Sequence, residues 1–211
     1  MKTQTIDKVF NLLAKDYSNP KTELRYINKY TFLISVILSA QSTDISVNKA
    51  TIKLFQIVKN SSEMIKLGEN KLKKYIKTIG LYNSKAKNII NLSKILLEKY
   101  NGKIPEDFKE LTSLPGIGNK TASVYQNTVL NLPRVAVDTH VFRVSNRIGL
   151  SKSRTADLTQ ICLEKVIPTK WLANAHHILI FHGRRVCKAR KPLCKVCSVN
   201  KICHYNSKEQ F

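Results

Sequence analysis

The sequence predicts an all-α protein. Three observations carry that expectation. Apolar residues recur at helical spacing along nearly the whole chain, strand-like alternation is almost absent, and the periodic stretches are bracketed by residues that start or stop helices. Hydrophobic residues make up 43% of the 211, a globular and not a disordered composition. The length suffices for one large domain or two small ones, each with its own core. The pattern resolves into about ten helices.

Ile6 to Tyr17 reads as the first helix, ended by Ser18-Asn19-Pro20. The longest apolar run, Thr31 to Ala40, is too short to span a bilayer and belongs to a buried helix from Lys29 to Ala40. Asp44 is placed to cap a helix running to Lys59, with Val47, Ala50, Leu54 and Ile57 on one face. Ser62 to Leu67 stops at Gly68, Asn70 to Ile79 at Gly80, and Ser84 to Tyr100 at Asn101-Gly102. Asp107 to Ser113 runs into a sharp turn at Pro115-Gly116-Ile117-Gly118, and the next helix breaks at Asn131-Leu132-Pro133. Asp138 caps Thr139 to Ile148, with Gly149 behind it. Thr155 to Ile167 and Trp171 to His182 complete the helices, and a cysteine-bearing loop follows.

The charge balance is extreme: 36 Lys and Arg against 14 Asp and Glu, a net +22. A field of that size attracts nucleic acid or anionic membrane. A Lys-, Ile- and Asn-rich bias explains part of the lysine between Lys53 and Lys103, but not the scarcity of acids. No membrane segment is visible, and Met1 to Ile6 leads into no signal-peptide core, so a cytoplasmic location is expected. Thiols stay reduced there, and clustered cysteines then favour metal over disulfide. Cys187, Cys194, Cys197 and Cys203 follow the pattern C-x6-C-x2-C-x5-C, among seven Lys and Arg residues between Arg184 and Lys201. Four thiolates so spaced can wrap one metal centre, either tetrahedral zinc or an iron–sulfur cluster. Zinc sites usually come as paired C-x2-C units, and only Cys194–Cys197 has that spacing. Cys162 stands alone in a helical pattern and reads as a small buried apolar residue.

Leu114-Pro115-Gly116-Ile117-Gly118-Asn119-Lys120-Thr121-Ala122 places a two-glycine turn before a helix. Glycines tolerate positive φ and let a phosphate approach the backbone, where the N–H groups of a helix start face it. Gly118 in particular is expected at positive φ. A lone G-x-G would be an ordinary helix–helix turn, but this longer string is far more specific. Lys120 lies in the first turn, at the positive end of the helix dipole, which disfavours the ammonium; a neutral amine is a nucleophile able to form a Schiff base. By count alone it is one more solvated lysine. Asp138 alone is an N-cap, a role that also fixes its carboxylate.

The Leu114 to Ala122 string resembles the helix-hairpin-helix of the DNA glycosylase superfamily, and the resemblance continues through Val137-Asp138-Thr139-His140. The cysteine spacing is similar to that of its iron–sulfur branch. Ser39-Ala40-Gln41, Val47-Asn48-Lys49-Ala50 and Ile79-Gly80-Leu81-Tyr82-Asn83-Ser84-Lys85-Ala86 resemble the bacterial endonuclease III family, and the likeness runs from about Thr22 to Cys203. It implies two lobes with a DNA-binding cleft between them: a six-helix domain over 22–132, with the helix-hairpin-helix near 107–130, and an iron–sulfur cluster domain of 1–21 and 133–211. It implies one [4Fe-4S] cluster on the four cysteines, and a monomer acting on double-stranded DNA with damaged bases or abasic sites.

The resemblance also assigns roles. Lys120 attacks the sugar carbon that carries the damaged base. Asp138 is its acidic partner, accepting a proton or stabilising cationic character on the sugar. Gly116 and Gly118 let the hairpin meet a phosphate. Gln41 and Leu81 sit in loops that reach into the hole left by base flipping, although Gln41 could merely end a helix and Leu81 pack under a loop. His140 is either a DNA contact or a structural one. Lys188, Arg190, Lys191 and Lys195 are carried toward phosphates by the cluster loop, against the plainer reading of a solvated charge run. Many family members have Arg in place of Asn119, and Asn and Val are common where this chain has Ser123 and Tyr125. The implied activity is removal of oxidised pyrimidines followed by β-elimination through a lysine Schiff base. Two rivals are an adenine-removing glycosylase, which would lack a lysine at position 120, and a non-catalytic iron–sulfur DNA-binding module.

Overall fold

The computed structural model describes residues 1–18 and 21–205, so the expected helix stop at Asn19 and Pro20 lies outside the described residues. Among them the chain forms eleven α-helices, two 3-10 turns and no strand. It folds as two compact units, Glu23–Leu130 and Met1–Thr22 with Asn131–Phe211.

The Glu23–Leu130 unit is built around α2 (Lys29–Ser39), in which every side chain from Tyr30 to Leu38 is buried. A helix apolar on all sides must be wrapped on all sides. The wrapping comes from α3 (Asp44–Ile57), α6 (Tyr82–Tyr100) and α8 (Asn119–Leu130). Asn28 caps α2 reciprocally with Thr31, its side chain accepting the Thr31 N–H at 3.0 Å. The cap of α3 is Thr43, not Asp44: its hydroxyl accepts the Ser46 N–H at 3.2 Å, and Asp44 moves into the first turn, where a carboxylate also suits the dipole. That helix ends at Ile57, which is 49% exposed, while Val58 turns inward to take the buried place. The unit holds seven helices instead of six. Gly68, at φ +77°, ends α4 (Ser61–Leu67) and starts α5 (Glu69–Ile76), keeping the two distinct. The expected helix from Asn70 stops at Ile76, because Ile79 folds back to donate its N–H to the Ile76 carbonyl in a tight turn. Asp107 caps the short α7 (Phe108–Ser113) through two N–H groups.

The other unit packs α1 (Thr3–Asp16), α9 (Thr139–Ile148), α10 (Ala156–Val166) and α11 (Thr169–Arg185) about one core. Ile6, Val9, Phe10 and Leu13 of α1 meet Ala175, Ile178 and Leu179 of α11 there. Phe10 stacks on Trp171 at 5.9 Å, and the Trp171 indole N–H donates to Asp7 at 2.7 Å. α11 runs past the expected His182 to Arg185, delivering the chain directly to Cys187. No helix among the described residues is long and apolar enough to cross a membrane.

Candidate functional site

The turn before Lys120 is fixed by one glycine, and it is not the one expected. The Ile117 N–H donates to the Leu114 carbonyl at 3.1 Å, closing a β-turn with Pro115 and Gly116 at its centre. Gly116 has φ +82°, as the third residue of a type II turn requires, and a Cβ there would lie 3.2 Å from Asn88 Cβ. Gly118 has no positive φ, and a Cβ there would meet nothing within 4 Å. Gly118 instead begins the helix: its carbonyl accepts the Ala122 N–H at 3.0 Å. Buried Leu111, Leu114 and Ile117 anchor the turn from below, leaving Gly116, Gly118, Asn119 and Lys120 exposed. Lys120 is the second residue of α8, in the turn whose backbone N–H groups lack intrahelical acceptors.

In the other unit, Asp138 caps α9. One carboxylate oxygen accepts the His140 and Val141 N–H groups, each at 2.8 Å, and the residue is half-buried. Its second oxygen carries none of the cap bonds. His140 is held within α9: its Nδ1 lies 3.2 Å from an Arg143 guanidinium nitrogen, and its Cβ lies where a Cβ on Gly183 would approach to 2.9 Å.

Downstream, α9 organises the cysteine loop. Arg143 donates to the carbonyls of Gly183 at 2.9 Å and Cys187 at 3.1 Å. Arg147, one turn on, donates to those of Lys188 at 2.7 Å and Ala189 at 3.0 Å, and approaches Cys187 Sγ at 3.7 Å. Neither arginine stood out in the sequence; their i, i+4 spacing one turn after the Asp138 cap was the available signal. The side chains of Lys188, Arg190, Lys191 and Lys195 are exposed, and Lys191 is in the left-handed region at φ +48°.

Cys187, Cys194, Cys197 and Cys203 form no disulfide, are half-buried, and line one pocket walled by Ile148, Val186, Leu193 and Val199. No group of three or more described His, Cys, Asp or Glu side chains is set to hold a single metal ion. A lone zinc needs four sulfurs at about 2.3 Å from one point, whereas an iron–sulfur cluster interposes its own atoms between the thiolates. Four thiols around one apolar pocket are the donor set that an iron–sulfur cluster requires. His182 lies behind Cys197. Burial pushes the imidazole down to about 4, so it is neutral, and pushes the Tyr17 hydroxyl up to about 12, so it keeps its proton. Tyr17 Oη lies 3.2 Å from His182 Nδ1, and His182 Nε2 lies 3.6 Å from Cys197 Sγ, so the imidazole bridges the two. Cys162 lies outside this pocket in α10, half-buried and not fully buried, with its thiol toward the Leu150 carbonyl at 3.8 Å.

Gln41 and Leu81 are both exposed and both left-handed, at φ +55° and +59°. Leu81 is 60% exposed and is the N-cap of α6 without being able to cap it. Their loops are joined. A Cβ on Gly80 would sit 3.4 Å from the Gln41 carbonyl, and Lys85, only 6% exposed, donates to the carbonyls of Leu38 at 2.9 Å and Ala40 at 2.5 Å. Burial pushes the Lys85 ammonium below the usual lysine range. Ser123 and Tyr125, two of the departures noted in the sequence, are buried, and Tyr125 stacks on Phe32 at 6.4 Å; they belong to the core of their unit. Asn119 is the departure that is exposed.

A profile of the HhH-GPD superfamily base excision DNA repair proteins matches residues 34–169. The endonuclease III of Rickettsia conorii is 54% identical over 205 residues, covering 97% of this chain and 98% of that protein. The endonuclease III of Escherichia coli K12 is 46% identical over 201 residues, covering 95% of each. Among solved structures, a trapped endonuclease III–DNA covalent intermediate superposes with a TM-score of 0.93 at 38% identity over all of both chains. A thermostable thymine-DNA glycosylase, 23% identical, shares the fold with a TM-score of 0.87 over 97% of this chain and 98% of that one.

Proposed function

We propose the following chemistry for this chain, which belongs to the HhH-GPD superfamily of base excision DNA repair proteins and, within it, to the endonuclease III family. It is a base-excision glycosylase and abasic-site lyase. Its substrate is double-stranded DNA carrying an oxidised pyrimidine, which is extruded from the duplex. Lys120 Nζ donates its lone pair to the sugar carbon, and the bond to the base breaks, its electron pair and a proton leaving with the base. The sugar ring opens to an imine. A proton then leaves the neighbouring carbon, and the bond to the 3′ phosphate breaks with its electron pair, cutting the strand by β-elimination. Asp138 acts on the same sugar. Its charge stabilises the cationic character that develops as the base departs, and it is a proton acceptor for the amine.

The observation that carries this reading is Lys120 itself: an exposed amine in the first turn of α8, behind a turn whose backbone is bare enough for a phosphate. Gly116, Gly118 and the α8 N–H groups take that phosphate. Gln41 and Leu81 fill the vacated space, His140 contacts the DNA backbone, and Lys188, Arg190, Lys191 and Lys195 neutralise flanking phosphates. Cys187, Cys194, Cys197 and Cys203 would hold one [4Fe-4S] cluster, which when bound cross-links the loop that carries those cations. A duplex with a single oxidised pyrimidine, incubated without alkali, tests the reading. Free base and a nick 3′ to the lesion should appear together. Base release with an intact strand would remove the lyase half of the assignment.

A further inference from the structure

Among the described residues Lys85 is the most buried lysine, and the chemistry above does not use it. It sits in the first turn of α6 with 6% of its surface exposed. Its ammonium donates to the Leu38 carbonyl at 2.9 Å, the Ala40 carbonyl at 2.5 Å and the Ser42 hydroxyl at 3.4 Å. Two of these acceptors are carbonyls at the C-terminal end of α2, which no later turn of that helix satisfies and where the dipole is negative. The bond network therefore joins the end of α2 to the start of α6. On either side of that joint stand Gln41 and Leu81, each in a left-handed backbone that a non-glycine residue holds only when its surroundings insist. Gly80 closes the joint from the other face, its missing Cβ lying 3.4 Å from the Gln41 carbonyl. An exposed leucine and an exposed glutamine held side by side in strained backbone are a costly surface unless they meet something.

We propose that Lys85 is a positioning residue, whose ammonium clamps the Gln41 and Leu81 loops into one rigid wedge that occupies the duplex where a nucleotide has left. This rests on the proposed wedge role of Gln41 and Leu81. Lys85 touches no nucleotide. It sets the spacing of the two side chains that do, so that the wedge enters the stack as a unit without first having to order.

The test uses full-length protein and an abasic-site duplex with 2-aminopurine next to the lesion, whose fluorescence rises when stacking is disturbed. Lys85→Met should lose most of that rise and about tenfold in abasic-duplex affinity, the equivalent of one charge-assisted contact. Its affinity for undamaged duplex and its borohydride adduct on single-stranded abasic DNA, which has no stack to enter, should change far less. A wild-type rise in Lys85→Met overturns the proposal, and so does an equal loss on duplex and single strand, which would mark Lys85 as a general fold residue. Ser42→Ala removes one acceptor at a half-buried position and carries the test if Lys85→Met does not fold: a loss of about twofold to threefold confined to the abasic duplex supports the clamp, and none overturns it. The double variant Gln41→Ala, Leu81→Ala separates the two readings. A wild-type rise there removes the wedge itself, whatever Lys85 does.

Discussion

At Asp138 a single carboxylate caps α9, and the catalytic role proposed for it is one that a mutation can separate from the cap. Asparagine caps a helix about as well as aspartate but has no charge, whereas alanine does neither. Asp138→Asn should keep the melting temperature and lose turnover; Asp138→Ala should lose turnover and about 1 kcal/mol of stability as well. Thermal melts beside single-turnover rates check this, and an Asn variant as unstable as the Ala variant would mean the charge itself holds α9. The two hairpin glycines divide in the same manner. Gly116→Ala forces a side chain into the left-handed region and against Asn88, at a cost of roughly 1–3 kcal/mol. Gly118→Ala should fold as stably as the parent, since its Cβ enters open space at ordinary φ. Any affinity it loses then reports on the approaching phosphate. The placement of Lys120 at a helix start, of Asp138 as an N-cap and of four cysteines in one loop was legible in the sequence, whereas the chemistry proposed for them comes from the family resemblance. Which of the two hairpin glycines turns the chain was not legible, because L-P-G-I-G accommodates a bend at either. Nor were the left-handed Gln41, Leu81 and Lys191, for nothing in a Gln, Leu or Lys forecasts backbone that tertiary contacts impose.

Several helix starts could be read from their capping residues. Asp107, Asp138 and Thr155 cap the helices that follow them, since an oxygen-bearing side chain one residue before an apolar run has few other local uses. α11 continues to Arg185, and Arg143 and Arg147 take the Cys187 and Lys188 carbonyls beyond it. α9 and α11 pack tightly at Gly183, where a Cβ would meet His140 Cβ at 2.9 Å and Val144 at 3.1 Å. A helix-interior glycine in a sequence says only that something is near, not what. Gly183→Ala should therefore destabilise by about 1 kcal/mol or more, overpacking of up to about 3 kcal/mol exceeding the roughly 1 kcal/mol that alanine gains over glycine in a helix. By prising Arg143 from the Cys187 carbonyl it should also speed loss of visible absorbance under a chelator. Calorimetry and bleaching rates read the two effects, and a stabilised variant would contradict the close packing. Cys162→Ser should leave that absorbance intact, because Cys162 lies outside the thiol pocket.

Across the whole molecule the dominant quantity is charge. A protein of net +22 binds duplex largely by releasing counterions, so affinity should fall steeply with salt, by about 0.9 log units per tenfold salt for each phosphate neutralised. Lys191→Ala should make that slope shallower by up to about one such unit, and an unchanged slope would mean that Lys191 faces solvent in the complex. The charge and the all-helical character were both evident from composition and periodicity. The clamp between the ends of α2 and α6 was not, since it joins Lys85 to carbonyls 45 and 47 residues away. The proposed chemistry depends above all on Lys120 as the nucleophile. Wild-type protein mixed with abasic-site duplex and borohydride should give one covalent adduct, with the sugar remnant on Lys120 in the digested peptide. Lys120→Gln should bind the same duplex through its intact hairpin and give no adduct. An undiminished adduct from Lys120→Gln, or a wild-type adduct carried by another amine, would contradict it.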